Sequence, residues 1–136
     1  MVNMSAVYAG DLHCRVTHGP SGSALETDAP KDNMGKGACF SPTDLLGAAL
    51  AACALTTMAI VAKRDGVPFE GARAEVVKEM TSQPTRRIGA LPLKITMPAS
   101  LPASYRAKLE NAAHACPVHK SLHPDVKAEI LFVYEG

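Results

Sequence analysis

At 136 residues the chain is long enough for one domain with a single core and too short for two. Lys and Arg total 14 against 13 for Asp and Glu, so no net field exists to hold a polyanion or an anionic membrane, and nucleic acid is not an expected partner. The opening MVNMSAVYAG has neither a basic segment followed by an apolar one nor an Arg-rich stretch, which makes the cytoplasm the expected location.

Leu12, Cys14 and Val16 alternate with His13, Arg15 and Thr17, the period of a half-buried strand. HGPSG then reads as a turn that returns Ala24 to Asp28 as a partner strand. The polar, glycine-rich APKDNMGKGACF is a loop. Ser41-Pro42-Thr43-Asp44 is a helix start, with Ser as N-cap, Pro at the first helical position and a carboxylate three residues after the cap. From Leu45 the chain runs 18 residues without a charge to Lys63 and Arg64, with Gly66 and Pro68 as stop signals. Such a helix, apolar on every side, is either a membrane span or the axis of a core; its Ala, Gly and Thr content and the soluble patterning elsewhere favour the core.

Two strand-like runs follow, Arg73 to Met80 and Ile88 to Met97, joined by QPTRR. Ser100 opens an amphipathic helix whose stripe is Leu101, Tyr105, Leu109 and Ala112 or Ala113. Pro117 cannot continue that helix and instead starts a short new one, leaving Cys116 at or next to its N-cap. Val126, Ala128, Ile130, Phe132 and Tyr134 alternate as a final strand. This order predicts a single α+β domain over 1–136, a mainly antiparallel sheet around one long buried helix. Six short strands and one amphipathic helix are thin cover for a helix apolar all round, which predicts a homodimer.

Four cysteines without C-x-x-C spacing argue against a disulfide scaffold, a zinc knuckle or a thioredoxin motif. No cofactor motif and no H-E-x-x-H spacing appear, so neither a cofactor nor a sequence-local metal site is expected. Cys53 is flanked by Ala51, Ala52, Ala54 and Leu55, surroundings that on their own describe a small buried hydrophobe. Cys116 is different, because a helix N-terminus favours the thiolate, the nucleophilic and oxidisable form. Cys14 and Cys39 have no comparable context. His13, His18, His114, His119 and His123 crowd mildly around Cys116, and His114 or His119 is placed to assist a thiolate or merely to fill a surface.

FSPTDLLGAALAAC, followed some sixty residues later by CPVHKSL, resembles the OsmC/Ohr superfamily of osmotically inducible and organic hydroperoxide resistance proteins. The likeness extends from YAGDL through THGPSG and TDAPKDN to SLHPDVK. It implies an intertwined homodimer with two interfacial sites. It also implies that a residue matching Cys53 attacks the O–O bond of an organic hydroperoxide and becomes a sulfenic acid. The residue matching Cys116 would then form a disulfide that an external thiol reduces. That bridge requires a Cα separation of roughly 4.4 to 6.8 Å. Peroxidase members activate the first thiolate with an Arg and a Glu one residue after the helix-start proline. Here that position is Thr43, with the carboxylate at Asp44, and one residue on a helix is about 100° of rotation, so Asp44 is suited to capping. Arg15 is the candidate arginine and Lys36 its substitute, and in this respect the chain is similar to the OsmC-like branch rather than to the efficient hydroperoxidases.

The leading functional expectation is thus a thiol-dependent peroxidase using Cys53, Cys116, Arg15 and Asp44. A dimer that binds a small apolar ligand in an Ala-lined pocket is the alternative, favoured by Thr43 in place of the family Glu. A third reading, a metal-binding or structural dimer using Cys53, Cys116 and a histidine, would show itself by stoichiometric zinc.

Overall fold

The computed structural model describes residues 1–136, which divide into two compact units, Met1–Leu46 and Gly47–Gly136. The first holds an antiparallel meander of β1 (Met4–Gly10), β2 (His13–His18) and β3 (Ala24–Asp28). Its β1–β2 turn places Asp11 and Leu12 at φ of 52° and 60°, the double left-handed geometry that matches the twist of a tight hairpin. Leu12 therefore belongs to the turn and not to the strand the alternation suggested, and its N–H donates to the Tyr8 hydroxyl at 3.3 Å. The loop expected after β3 folds back on it: Asp28 donates its backbone N–H to the Phe40 carbonyl, and its carboxylate accepts from the N–H of Ala38.

Helix α1 (Pro42–Arg64) ends where the charges and Gly66 place its end. Gly66, at φ 68°, and Val67 donate N–H groups to the carbonyls of Lys63 and Ala62, the double bond of a glycine-terminated helix. Gly47, Leu50, Ala54, Met58 and Ala62 recur every three or four positions and form its buried stripe. The helix is long and apolar enough to cross a membrane by length and composition, yet this stripe belongs to the core of the second unit.

That core is closed by a three-stranded sheet in the order β4 (Arg73–Val76), β7 (Leu93–Pro98), β8 (Ile130–Glu135), beside a ribbon of β5 (Glu79–Thr81) and β6 (Arg87–Ala90). Each of the two expected central strands is thus broken in two. Pro92 has no N–H for a ladder, and its carbonyl accepts instead from Val77, so the chain changes partners at that point. Strands β4 and β7 are antiparallel, and β7 and β8 parallel, because α2 (Ala103–His114) and α3 (Pro117–Ser121) carry the chain back before β8 begins.

Helix α2 starts at Ala103, not Ser100: the residue before a proline avoids helical geometry, and Leu101 precedes Pro102, the N-cap. Its stripe is as expected, with Leu109, Ala112 and Ala113 buried together with Leu101. The last strand begins at Ile130, although Lys127 already bridges Ala90. The fold class is α+β with mainly antiparallel pairing, as the sequence indicated.

Candidate thiol site

Cys116 has no exposed surface and is the N-cap of α3, with Pro117 at its first helical position. Its extended backbone (φ −62°, ψ 142°) turns Sγ onto the new helix, where it accepts the His119 N–H at 3.3 Å. Cys53 lies on α1, half-buried, and packs against the same core. Cys53 is close enough to bear on the Cys116 thiol, and neither is in a disulfide.

The expected pull of the α3 N–H groups toward the Cys116 thiolate is present but outweighed. Burial, the largest influence, pushes its thiol up; the N–H groups of His119 and Val118 oppose this, while the hydrogen bond to Cys53 and the charge there add to it.

One turn beyond Cys53, the Thr57 hydroxyl lies 4.0 Å from Sγ. Nothing in the residue pattern of an apolar helix singled Thr57 out; only its i,i+4 spacing from Cys53 pointed to it. The histidines are otherwise engaged. His119 presents Nε2 to the Ala128 carbonyl at 3.4 Å, and the His114 ring stands edge-on to those of His119 and Phe132 at 6.2 and 5.8 Å. His13 lies between Glu26 (3.4 Å) and Asp28 (3.8 Å), His18 pairs with Ser21, and His123 accepts from the N–H of Asp125. No group of three or more His, Cys, Asp and Glu side chains is placed to hold a metal ion.

The other two proposed site residues belong to the first unit. Arg15 is exposed in β2, opposite Val7 and Glu26, and Lys36 is exposed in the loop before α1. Asp44 accepts the Ser41 N–H at 2.9 Å while the Ser41 hydroxyl accepts the Asp44 N–H at 3.1 Å, a reciprocal capping box. The shift of the carboxylate from position 43 to 44 thus gives it a helix-capping task. Ser41→Ala is expected to cost about 1 kcal/mol of stability, read as a lower urea midpoint with an unchanged slope. Cys14 lies in β2, and Cys39 is pushed up by burial and by Asp28 and Glu26, which keeps it protonated.

A long apolar helix that sets a half-buried cysteine against a buried N-cap cysteine defines a small α+β protein with a paired-thiol site. Residues 35–130 match the family model for OsmC-like protein, and the chain belongs to that family, as FSPTDLLGAALAAC and CPVHKSL suggested. A protein of Psychrobacter arcticus 273-4, described as a candidate osmotic stress induced and detoxification response protein, is 39% identical over 97% of this chain and 96% of its own, with a TM-score of 0.90. The fold is shared by the organic hydroperoxide resistance protein OsmC of Legionella pneumophila (18% identity, TM-score 0.79, 98% and 96% covered). It is also shared by the organic hydroperoxide resistance protein OhrB of Bacillus subtilis (20% identity, TM-score 0.70, 97% of each chain). A comparison with curated proteins finds no match.

Proposed function

We propose that the chain is a thiol peroxidase that reduces organic hydroperoxides, with Cys53 attacking and Cys116 resolving. The observation that carries this is the placement of the two thiols: a half-buried Cys53 on α1 packed against the core that holds a fully buried Cys116 at the α3 N-cap. The Cys53 thiolate attacks one peroxide oxygen; the S–O bond forms, the O–O bond breaks, and the alkoxide leaves as the alcohol with a proton. The Cys116 sulfur then displaces hydroxide from the Cys53 sulfenic acid, giving a disulfide and water, and an external dithiol is oxidised as it restores both thiols.

Arg15 is the cation proposed to hold the developing negative charge, and Asp44 acts by fixing the start of the helix that carries Cys53. A location in the cytoplasm fits this chemistry, since a reducing compartment supplies the external thiol. Two members of the shared fold are named for organic hydroperoxide resistance, which supports the substrate class.

The active form is proposed to be the homodimer. Met4, Val7, Tyr8 and Leu25 on the β1–β3 sheet and Leu46 and Ile60 on α1 are all exposed in the single chain, apolar side chains that a dimer interface would cover. Sedimentation equilibrium is expected to give twice 14.3 kDa at micromolar protein, and a monomer throughout that range would refute the dimer.

The direct test is consumption of cumene hydroperoxide by the purified protein with dithiothreitol as reductant. Turnover dependent on both thiols supports the reading; full retention of thiols after a stoichiometric dose sinks it and leaves the apolar-ligand dimer as the working reading.

A further inference from the structure

We propose that Thr57 is a positioning residue for Cys53, its γ-hydroxyl donating a hydrogen bond to the Cys53 thiolate; this rests on Cys53 being the attacking thiol. Both residues are half-buried on α1, four positions apart, so their side chains lie one above the other on one face. A threonine inside a helix commonly turns its hydroxyl to the carbonyl one turn back. Here the hydroxyl oxygen stands 4.0 Å from the Cys53 sulfur, the long end of a sulfur contact and a separation that tightens when charge develops.

The surroundings make this donor matter. The flanking Ala51, Ala52, Ala54 and Leu55 have no side-chain N–H or O–H to offer. The Cys116 thiol at the α3 N-cap belongs to the core Cys53 packs against, and an S–H is a weak donor. While Cys53 is protonated, either group can donate across this contact. After ionisation the hydroxyl rotates and donates to the sulfur, so the bond favours the charged form and fixes the direction of the sulfur lone pairs.

The experiment titrates Cys53 without peroxide. Wild type, Thr57→Val, Thr57→Ala and Thr57→Ser are pulsed with iodoacetamide across pH, and the Cys53 and Cys116 peptides are followed by mass spectrometry. Valine keeps the shape of threonine and removes the hydroxyl; alanine supplies a second hydroxyl-free variant should valine not fold. The expected result is a Cys53 midpoint about one pH unit higher in the Val and Ala variants, which is about tenfold slower alkylation at neutral pH, with Ser restoring the wild-type profile. In parallel, kcat/KM for cumene hydroperoxide falls in the Val and Ala variants and recovers in the Ser variant. An unchanged midpoint in both hydroxyl-free variants overturns the proposal even if turnover is intact. A Ser variant shifted as far as the Val variant also overturns it, because the effect would then be packing. Wild type that titrates as expected but never turns over hydroperoxide instead overturns the peroxidase reading, so the two failures are distinguishable.

Discussion

Cys53→Ser is expected to lose cumene hydroperoxide reduction by a factor on the order of 10⁴ or more, the scale on which loss of an attacking group acts. The reason is geometric. Cys116 is fully buried, so it has no exposed sulfur to offer a peroxide in place of Cys53. A serine hydroxyl at Cys53 is a far weaker nucleophile toward a peroxide oxygen, because the attacking species must be an easily formed, polarizable anion.

Cys116→Ser has a different expected outcome. It keeps the attacking sulfur and removes the resolving one, so one equivalent of peroxide gives a Cys53 sulfenic acid that persists, trappable by dimedone as a single mass addition. Excess peroxide carries it on to the sulfinic acid. Intact mass and free-thiol counts after one equivalent of cumene hydroperoxide separate the cases: wild type loses two thiols with no added oxygen, Cys116→Ser gains one oxygen, and Cys53→Ser is unchanged. A Cys53→Ser protein that still consumed peroxide at the wild-type rate would remove Cys53 from the mechanism.

Much of this site was legible before the fold. The limits of α1 are written locally, in Ser41 and Asp44 at one end and Lys63, Arg64 and Gly66 at the other, since helix ends are set by groups within a few residues of the unsatisfied backbone. The break between α2 and α3 is similarly fixed by Pro117 alone. Strand β1 left no such trace: Met4, Ala6 and Tyr8 face one way and Val7 the other, so MSAVYAG has little apolar–polar alternation to detect. The division of the central strands at Pro92 needed knowledge of which carbonyl Val77 would find, and that is tertiary.

The titration of Cys116 shows the same limit in the electrostatics. Its helix N-terminus is visible in the residue order, but the burial that outweighs the N–H groups comes from how far the core closes over it. The pairing of Cys53 with Cys116 was reached only through family likeness, because no spacing rule brings residues 63 positions apart together.

The raised Cys116 thiol makes the second half of the cycle the pH-sensitive half. Only the thiolate can displace hydroxide from a sulfenic acid, and burial holds Cys116 above its ordinary value of 9.0. Bridge closure in wild type, followed by stopped flow after one equivalent of peroxide, is therefore expected to rise about tenfold per pH unit through the neutral range. Alkylation of Cys116 in the reduced protein should lag that of Cys53 over the same range. The fold also gains from the protonated thiol: a raised acid contributes stability that is complete below its unfolded value and is lost as pH climbs through the folded one, so this contribution fades only in alkali.

Oxidation changes the balance in a useful direction. Two of the influences that keep Cys116 protonated are the hydrogen bond to Cys53 and the negative charge there, and a neutral Cys53 sulfenic acid no longer carries that charge. The His119 and Val118 N–H groups remain, so Cys116 becomes easier to ionise at the step where it must attack. A closure rate flat between pH 6 and 8 would contradict the expected rise and show that ionisation of Cys116 does not limit bridge closure.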